Sequence, residues 1–214
     1  MLTVWTNKTI QARQFGNSWY ASDEFHRCAA LLADWWGCLL VEHETQSEKF
    51  NDLILINFQK INLPFIDCVH TYIVADILNE VDTRNIIRYL RFVNPGLRIS
   101  IPKINFESGE LDHYIFHDEL SMVINQFGIA EPLQGEPVTV SDIDLVLTPL
   151  LAFDSNGYRV GYGKGFYDKF LAQCSDNVIR VGLSYFDPED PIDDISQYDI
   201  PLNYCVTPEN VYNF

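Results

Sequence analysis

An α/β fold built on strands buried on both faces is what this sequence predicts, and three observations predict it. Ile143–Leu151 is a nearly continuous apolar run, broken only by Asp144, Thr148 and Pro149, and it reads as a fully buried strand. Phe166, Tyr167, Phe170 and Leu171 follow at helical spacing, with Asp168 and Lys169 between them. Phe65–Ala75 reads as another strand, and Ile86, Ile87 and Leu90 continue from it as a helix. Strands alternating with helices mark an α/β layout.

The segment between the first strand and its helix organises the chain. It reads AFDSNGYRVGYGKGFYDKFL over Ala152–Leu171, a strand end, a glycine-rich loop and a helix start. Gly161, Gly163 and Gly165 alternate with Tyr162 and Lys164. Glycines let an anion approach the backbone and permit positive φ where the loop turns. Lys164 adds a mobile cation, and Arg159 a planar one suited to phosphate oxygens. Asp168, in the first helical turn, could hold a magnesium ion against those phosphates. The spacing matches neither named loop: Phe166 stands where a Rossmann GxGxxG needs glycine, and Gly-Lys-Gly replaces the Gly-Lys-Ser/Thr of a Walker loop. On spacing alone, a phosphate cradle and a purely structural turn explain the glycines equally well.

The unbroken stretch DLVLTPLLAFDSNGYRVGYGKGFYDKFL, Asp144–Leu171, resembles the signature of the 5-formyltetrahydrofolate cyclo-ligase family (methenyltetrahydrofolate synthetases). Its members carry a strand ending Pro-x-Leu-Ala-Phe-Asp, then a loop Gly-x-Arg-(Leu/Val)-Gly-x-Gly-(Gly/Lys)-Gly-(Phe/Tyr)-Tyr-Asp. Weaker echoes are NEVDTRNII (Asn79–Ile87), ISIPKI, GIAEP (Gly128–Pro132) and, near the end, YDIPLNYCVTPENVY. The resemblance runs over roughly Val69–Tyr212, and residues 1–60 diverge from it.

The resemblance implies a three-layer α/β/α sandwich with a mostly parallel central sheet, Rossmann-like in arrangement. It implies ATP- and magnesium-dependent cyclisation of 5-formyltetrahydrofolate to 5,10-methenyltetrahydrofolate, with release of ADP and phosphate. On this reading Arg159, Val160, Gly161, Tyr162, Gly163, Lys164, Gly165, Phe166 and Tyr167 bind ATP, with Lys164, Arg159 and Tyr167 at the chemistry. Glu80, Tyr162, Gly163, Lys164, Gly165 and Phe166 contact the folate, and Asp168 and Asp199 hold the magnesium. Two departures stand out. Lys8 and Arg13 do not reproduce the family's N-terminal Lys-x-x-(Leu/Ile)-Arg pattern, with Ala12 where a larger apolar residue is expected, so no ATP role is carried to them. Tyr185-Phe186-Asp187 stands where many members carry a Gln. The alternatives are a non-catalytic folate- or nucleotide-binding protein, and another phosphoryl-transfer enzyme on the same loop.

The remaining elements follow in order. A single domain over 1–214 is the default, long enough to bury roughly 70% of its unfolded-chain surface. The composition is 47% hydrophobic and 14% aromatic, which argues against disorder. Ser22-Asp23-Glu24 reads as a helix N-cap and acidic first turn, leading to a helix through Trp36, with Trp35 and Trp36 as core. Glu80 lies just past a strand end, where open α/β sheets place ligands, although a glutamate before a helix also serves as a dipole partner. Leu97–Ile104 is a strand candidate, residues 119–127 look helical, and Gly128–Val140 reads as a Pro/Gly-rich connection. Val178–Phe186 and Tyr204–Thr207 close the set of strands.

Charge and cysteine usage bound the partners. A formal net charge of −16 opposes nucleic acid and anionic membranes, whose ligands need a basic face. Locally, Arg159, Lys164 and Lys169 outnumber Asp154 and Asp168 around the loop. The acid gathers instead at Asp187, Glu189, Asp190, Asp193, Asp194 and Asp199, mostly a solvated loop. Cys28, Cys38, Cys68, Cys174 and Cys205 are odd in number and contain no CxxC, which fits reduced thiols and a cytoplasmic location. Met-Leu-Thr-Val-Trp lacks a signal-peptide start, and Ala29–Val41 is too short to span a bilayer. His113 and His117 form an H-x3-H pair, read as solvated or hydrogen-bonded histidines ahead of a zinc site. A monomer acting on 5-formyltetrahydrofolate and ATP is the expectation.

Overall fold

The computed structural model describes residues 40–74 and 80–214. Lys8, Arg13, Cys28, Cys38, the Ser22 cap and the helix through Trp35 and Trp36 lie outside the described residues, as does Asn79. By internal contacts the chain divides into residues 1–49 and residues 50–214, and the fold below is that of the second unit.

Its centre is a seven-stranded sheet. The first half of the unit supplies helix α1 (Leu40–Phe58, from Phe50 on), β1 (Cys68–His70), α2 (Arg84–Val93), β2 (Arg98–Asn105) and β3 (Glu110–Ile115). After a small hairpin of β4 (Met122–Ile124) and β5 (Ala130–Pro132) comes β6 (Leu145–Thr148). The chain then forms β7 (Ala152–Phe153), β8 (Arg159–Val160), α3 (Phe166–Leu171), β9 (Ile179–Leu183), β10 (Tyr204–Val206) and β11 (Val211–Asn213). The sheet order is β11-β10-β9-β6-β1-β2-β3. Strands β10, β9, β6, β1 and β2 run parallel, while β11 and β3 pair antiparallel at the two edges. The chain winds outward from β1 through β2, and in the opposite direction from β6 through β9. The switch point therefore falls between β1 and β6, and a crevice opens there at the strands' carboxyl ends.

Period-two alternation divides the core between the sheet's faces. Val69, Leu145, Leu147, Ile99 and Val181 face Ile54 and Phe58 of α1 and Ile86 and Leu90 of α2. Cys68 and Val146 face Phe170 and Leu171 of α3 on the other side. The result is a three-layer α/β/α sandwich. Each fully buried Ile or Leu stabilises it by roughly 1.5–3 kcal/mol before entropy. The aspartate interrupting the apolar run also has its reason: Asp144 Oδ2 accepts the backbone N–H groups of Asp67 and Cys68, setting the register of β1 against β6.

The structure corrects the sequence expectation at residues 119–127. They are not helical; β4 pairs antiparallel with β5 inside the stretch read as a plain connection. Asn125 Oδ1 accepts the N–H groups of Phe127 and Ile129, and Gly128 takes φ 78°, so a tight turn replaces the helix. The strand read over Leu97–Ile104 runs from Arg98 to Asn105.

Candidate active site

The glycine loop sits at the switch point, and its approach is built by one buried carboxylate. Beyond β6, β7 and β8 form a short hairpin around Asp154, which is fully buried. Asp154 Oδ1 accepts the N–H groups of Asn156 and Tyr158, and Oδ2 accepts that of Ile192. Gly157 turns there at φ 83°, with the Phe214 ring 2.7 Å from where a Cβ would stand. Asp154 thus works as a structural anchor that aims the following loop.

Gly161 to Gly165 are all exposed. Gly163 (φ 80°) and Gly165 (φ 66°) need glycine for their left-handed backbone. Gly161 does not have a positive φ, and a Cβ added to it would meet nothing within 4 Å. Neither conformation nor packing requires glycine there, and the missing side chain leaves its backbone open to solvent. Helix α3 has only six residues, so its dipole is a minor contributor beside the loop amides and Lys164.

The loop brings the sequence-predicted residues into two clusters. In the first, Tyr162 donates its hydroxyl to Glu80 Oε1 at 3.3 Å. Burial and then the Glu80 carboxylate push the Tyr162 hydroxyl up, keeping the proton it donates. In the second, Arg159 Nη2 donates to Asp168 Oδ1 at 2.9 Å and Nη1 to the carbonyl of Ile200 at 2.6 Å. The N–H of Ile200 donates to the same Asp168 oxygen, which sets Asp199 beside Asp168. The Arg159 side chain is 5% exposed and that of Asp168 27%. Burial draws the guanidinium down from its ordinary value, and Asp168 pulls it back. Each terminal nitrogen of Arg159 thus makes one bond to protein, and one of them fixes Asp168.

Asp199 Oδ2 accepts the N–H of Ser196. Asp168 Oδ2 and Asp199 Oδ1 accept no hydrogen bond among the described residues. These two carboxylates, linked through the Ile200 backbone and each with one oxygen accepting no hydrogen bond, are the residues that could hold a hard divalent cation whose other ligands are waters and substrate phosphates. Val160 and Phe166 are half-buried at the loop's two ends, and Lys164 is exposed upon it. The hydroxyl oxygen of Tyr167 is buried without a partner among the described residues.

The histidines separate. His113 is buried against the rings of His70 (4.9 Å) and Phe170 (4.2 Å), whereas His117 is exposed beyond the end of β3. No group of three or more His, Cys, Asp or Glu side chains among the described residues could hold a metal.

Residues 59–204 match the 5-formyltetrahydrofolate cyclo-ligase family. The chain belongs to that family. The 5-formyltetrahydrofolate cyclo-ligase of Escherichia coli (strain K12) is 32% identical over 139 residues, covering 63% of this chain and 75% of the relative. A probable 5-formyltetrahydrofolate cyclo-ligase of Schizosaccharomyces pombe is 32% identical, over 62% of this chain and 71% of the relative. The solution structure of Aquifex aeolicus 5,10-methenyltetrahydrofolate synthetase superposes with a TM-score of 0.61 at 26% identity, over 100% of this chain and 93% of that one. The Mycoplasma pneumoniae 5,10-methenyltetrahydrofolate synthetase gives a TM-score of 0.59 at 20% identity, over 77% of this chain and 88% of that one, a likeness of fold.

Within this cyclo-ligase fold, sequence reasoning missed the residues that hold Glu80. Tyr185 and Asn51 lie far from it in sequence, Tyr72 lies only eight residues before it, and the Tyr185-Phe186-Asp187 departure was the one signal near any of them.

Proposed function

We propose that this chain catalyses the ATP-dependent cyclisation of 5-formyltetrahydrofolate to 5,10-methenyltetrahydrofolate. The formyl oxygen attacks the γ-phosphorus, the bond to the bridging oxygen breaks, and ADP leaves. N10 then attacks the activated formyl carbon, its proton passes to solvent, and the carbon–oxygen bond breaks to release phosphate. Alignment and neutralisation of phosphoryl charge are the protein's work here. Lys164 and the amides of Gly161–Gly165 meet the phosphates, and Glu80 with Tyr162 orients the folate. Phe166 and Tyr167 line the wall between the two substrates. Asp168 and Asp199 would hold magnesium, which when bound would neutralise charge on the transferred phosphoryl group. Arg159 keeps Asp168 in place.

The observation that carries this reading is the contact of Tyr162, in the glycine loop, with the Glu80 carboxylate, which brings the phosphate side and the folate side of the predicted site together. Formation of methenyltetrahydrofolate, followed by its near-ultraviolet absorbance with and without magnesium-ATP, tests it. Product only with magnesium-ATP supports the proposal; binding of both ligands without turnover makes the chain a binding protein. Lys164→Ala should cut turnover by about a hundredfold or more while leaving the melting temperature unchanged. The same proposal includes a cytoplasmic monomer free of nucleic acid and membrane, tested by sedimentation and cell fractionation. No helix among the described residues is long and apolar enough to cross a membrane.

A further inference from the structure

The segment that carries Glu80 has no sheet partner among the described residues, and side chains meet several of its backbone polar groups. Three different elements supply them. Tyr72, just past β1, donates its hydroxyl to the carbonyl of Val81 at 2.7 Å. Asn51 of α1 accepts the N–H of Asp82 at 3.3 Å. Tyr185, just past β9, donates to that same Asn51 oxygen at 2.9 Å and lies 3.4 Å from the carbonyl of Glu80 itself. Its ring packs on Phe50 with centroids 6.1 Å apart. Tyr185 therefore joins the end of β9 to α1 and to both ends of the tripeptide Glu80–Asp82.

We propose that Tyr185 is a positioning residue for the folate side of the site, acting through Asn51 and the Glu80 backbone to fix where the Glu80 carboxylate stands. The inference rests on the reading that Glu80 contacts the folate. A tyrosine here does by its hydroxyl what no sheet ladder does for this segment, and it does so two residues past the strand, at the rim of the crevice. The effect falls chiefly on the folate side, because the Tyr185 hydroxyl bonds to Asn51 and to Glu80, and the glycine loop is reached only at second hand, through the bond of Tyr162 to Glu80.

Steady-state kinetics of Tyr185→Phe, Glu80→Gln and the double variant test it, with KM measured separately for 5-formyltetrahydrofolate and ATP. Tyr185→Phe keeps the ring and should raise the folate KM about fivefold while the ATP KM stays within about twofold, the scale of one hydrogen bond. In the Glu80→Gln background the same change should add less than about twofold, because its route to the substrate is already cut. Tyr212→Phe removes a comparable bond to Asp187 away from Glu80 and should leave the folate KM alone. An unchanged folate KM, equal rises in both KM values, or full multiplication of the two folate effects overturns the proposal. If Tyr185→Phe is unstable, Asn51→Ala asks the same question with the same arms. A Glu80→Gln variant with wild-type folate dependence would instead remove Glu80 from the site, and this inference with it.

Discussion

Helix α3 has a different polar neighbourhood on each side. On one side Asp168 accepts from Arg159 and from the Ile200 N–H, while Arg159 also reaches the Ile200 carbonyl. On the other, Tyr167 and Phe170 cover His70 and His113, and there His70 Nε2, His113 Nδ1 and the Tyr167 hydroxyl have no partner among the described residues. Arg159 is buried as His113 is, yet the two neighbourhoods are satisfied to very different degrees. Charge accounts for the difference. Arg159 stays charged at this depth, and an unpaired buried charge is far costlier than an unpaired neutral group. The histidines escape that cost by giving up their protons: burial drives both down, His70 well below the ordinary range and His113 to about 4. A neutral ring nitrogen left alone costs only about 1–3 kcal/mol. The paired cation is found where charge is needed, beside the loop, and the unpaired buried groups where charge can be discarded.

The largest effect should come from breaking the charged side unequally. Asp168→Asn keeps an acceptor for Arg159 and Ile200 but strands a cation whose side chain is 5% exposed. It should cost about 3 kcal/mol of stability and reduce turnover more than about a hundredfold. Arg159→Met leaves Asp168, 27% exposed, free to turn toward water, and should cost less in stability. Urea midpoints of the two variants decide the matter; equal losses would mean that burial does not set the cost.

Both sides of α3 were partly legible in the sequence, for local reasons. The apolar run, the alternating glycines and the helical spacing of Phe166, Tyr167, Phe170 and Leu171 lie within one short stretch, and local pattern suffices to read them. The pairing of Arg159 with Asp168 was not legible. Arg159 reads from the sequence as a phosphate ligand, and its bond to the carbonyl of Ile200, a residue 41 positions away, carries no local signal. Similarly, Tyr185 and Asn51 are separated by 134 positions, and only the sheet order brings them together. The H-x3-H spacing of His113 and His117 misdirects, because the neighbour that matters to His113 is His70 on β1, two strands away in the same sheet. Residues 119–127 failed for a different reason. A weak helical pattern lost to the turn chemistry of Asn125 and Gly128.

The histidine side should show itself in acid. An unfolded histidine binds a proton below about pH 6.5, whereas His113 in the fold resists until about pH 4. Protonation therefore favours the unfolded chain: the contribution is intact above about pH 6.5 and is lost as pH falls toward about 4. For His113 alone the loss between about pH 7 and about pH 5 is on the order of 2 kcal/mol. His113→Leu removes that titration and should flatten the difference in urea midpoint between the two pH values. An undiminished slope in the variant would assign the acid sensitivity to other groups.

The smallest effect isolates the cost of a missing partner. Thr148 ends β6 beneath the loop with its hydroxyl buried and unpartnered among the described residues. Thr148→Val replaces that hydroxyl with a methyl of similar shape, so stability should stay level or rise by up to about 1 kcal/mol, with activity within about twofold. Ser100→Ala makes the opposite change nearby, removing the 3.2 Å partner of His70 Nδ1 and leaving both ring nitrogens unpaired. It should lower stability by about 1 kcal/mol. If both substitutions destabilise alike, Thr148 has a partner that the isolated chain does not supply, and the neutral side of α3 is as fully paired as the charged one.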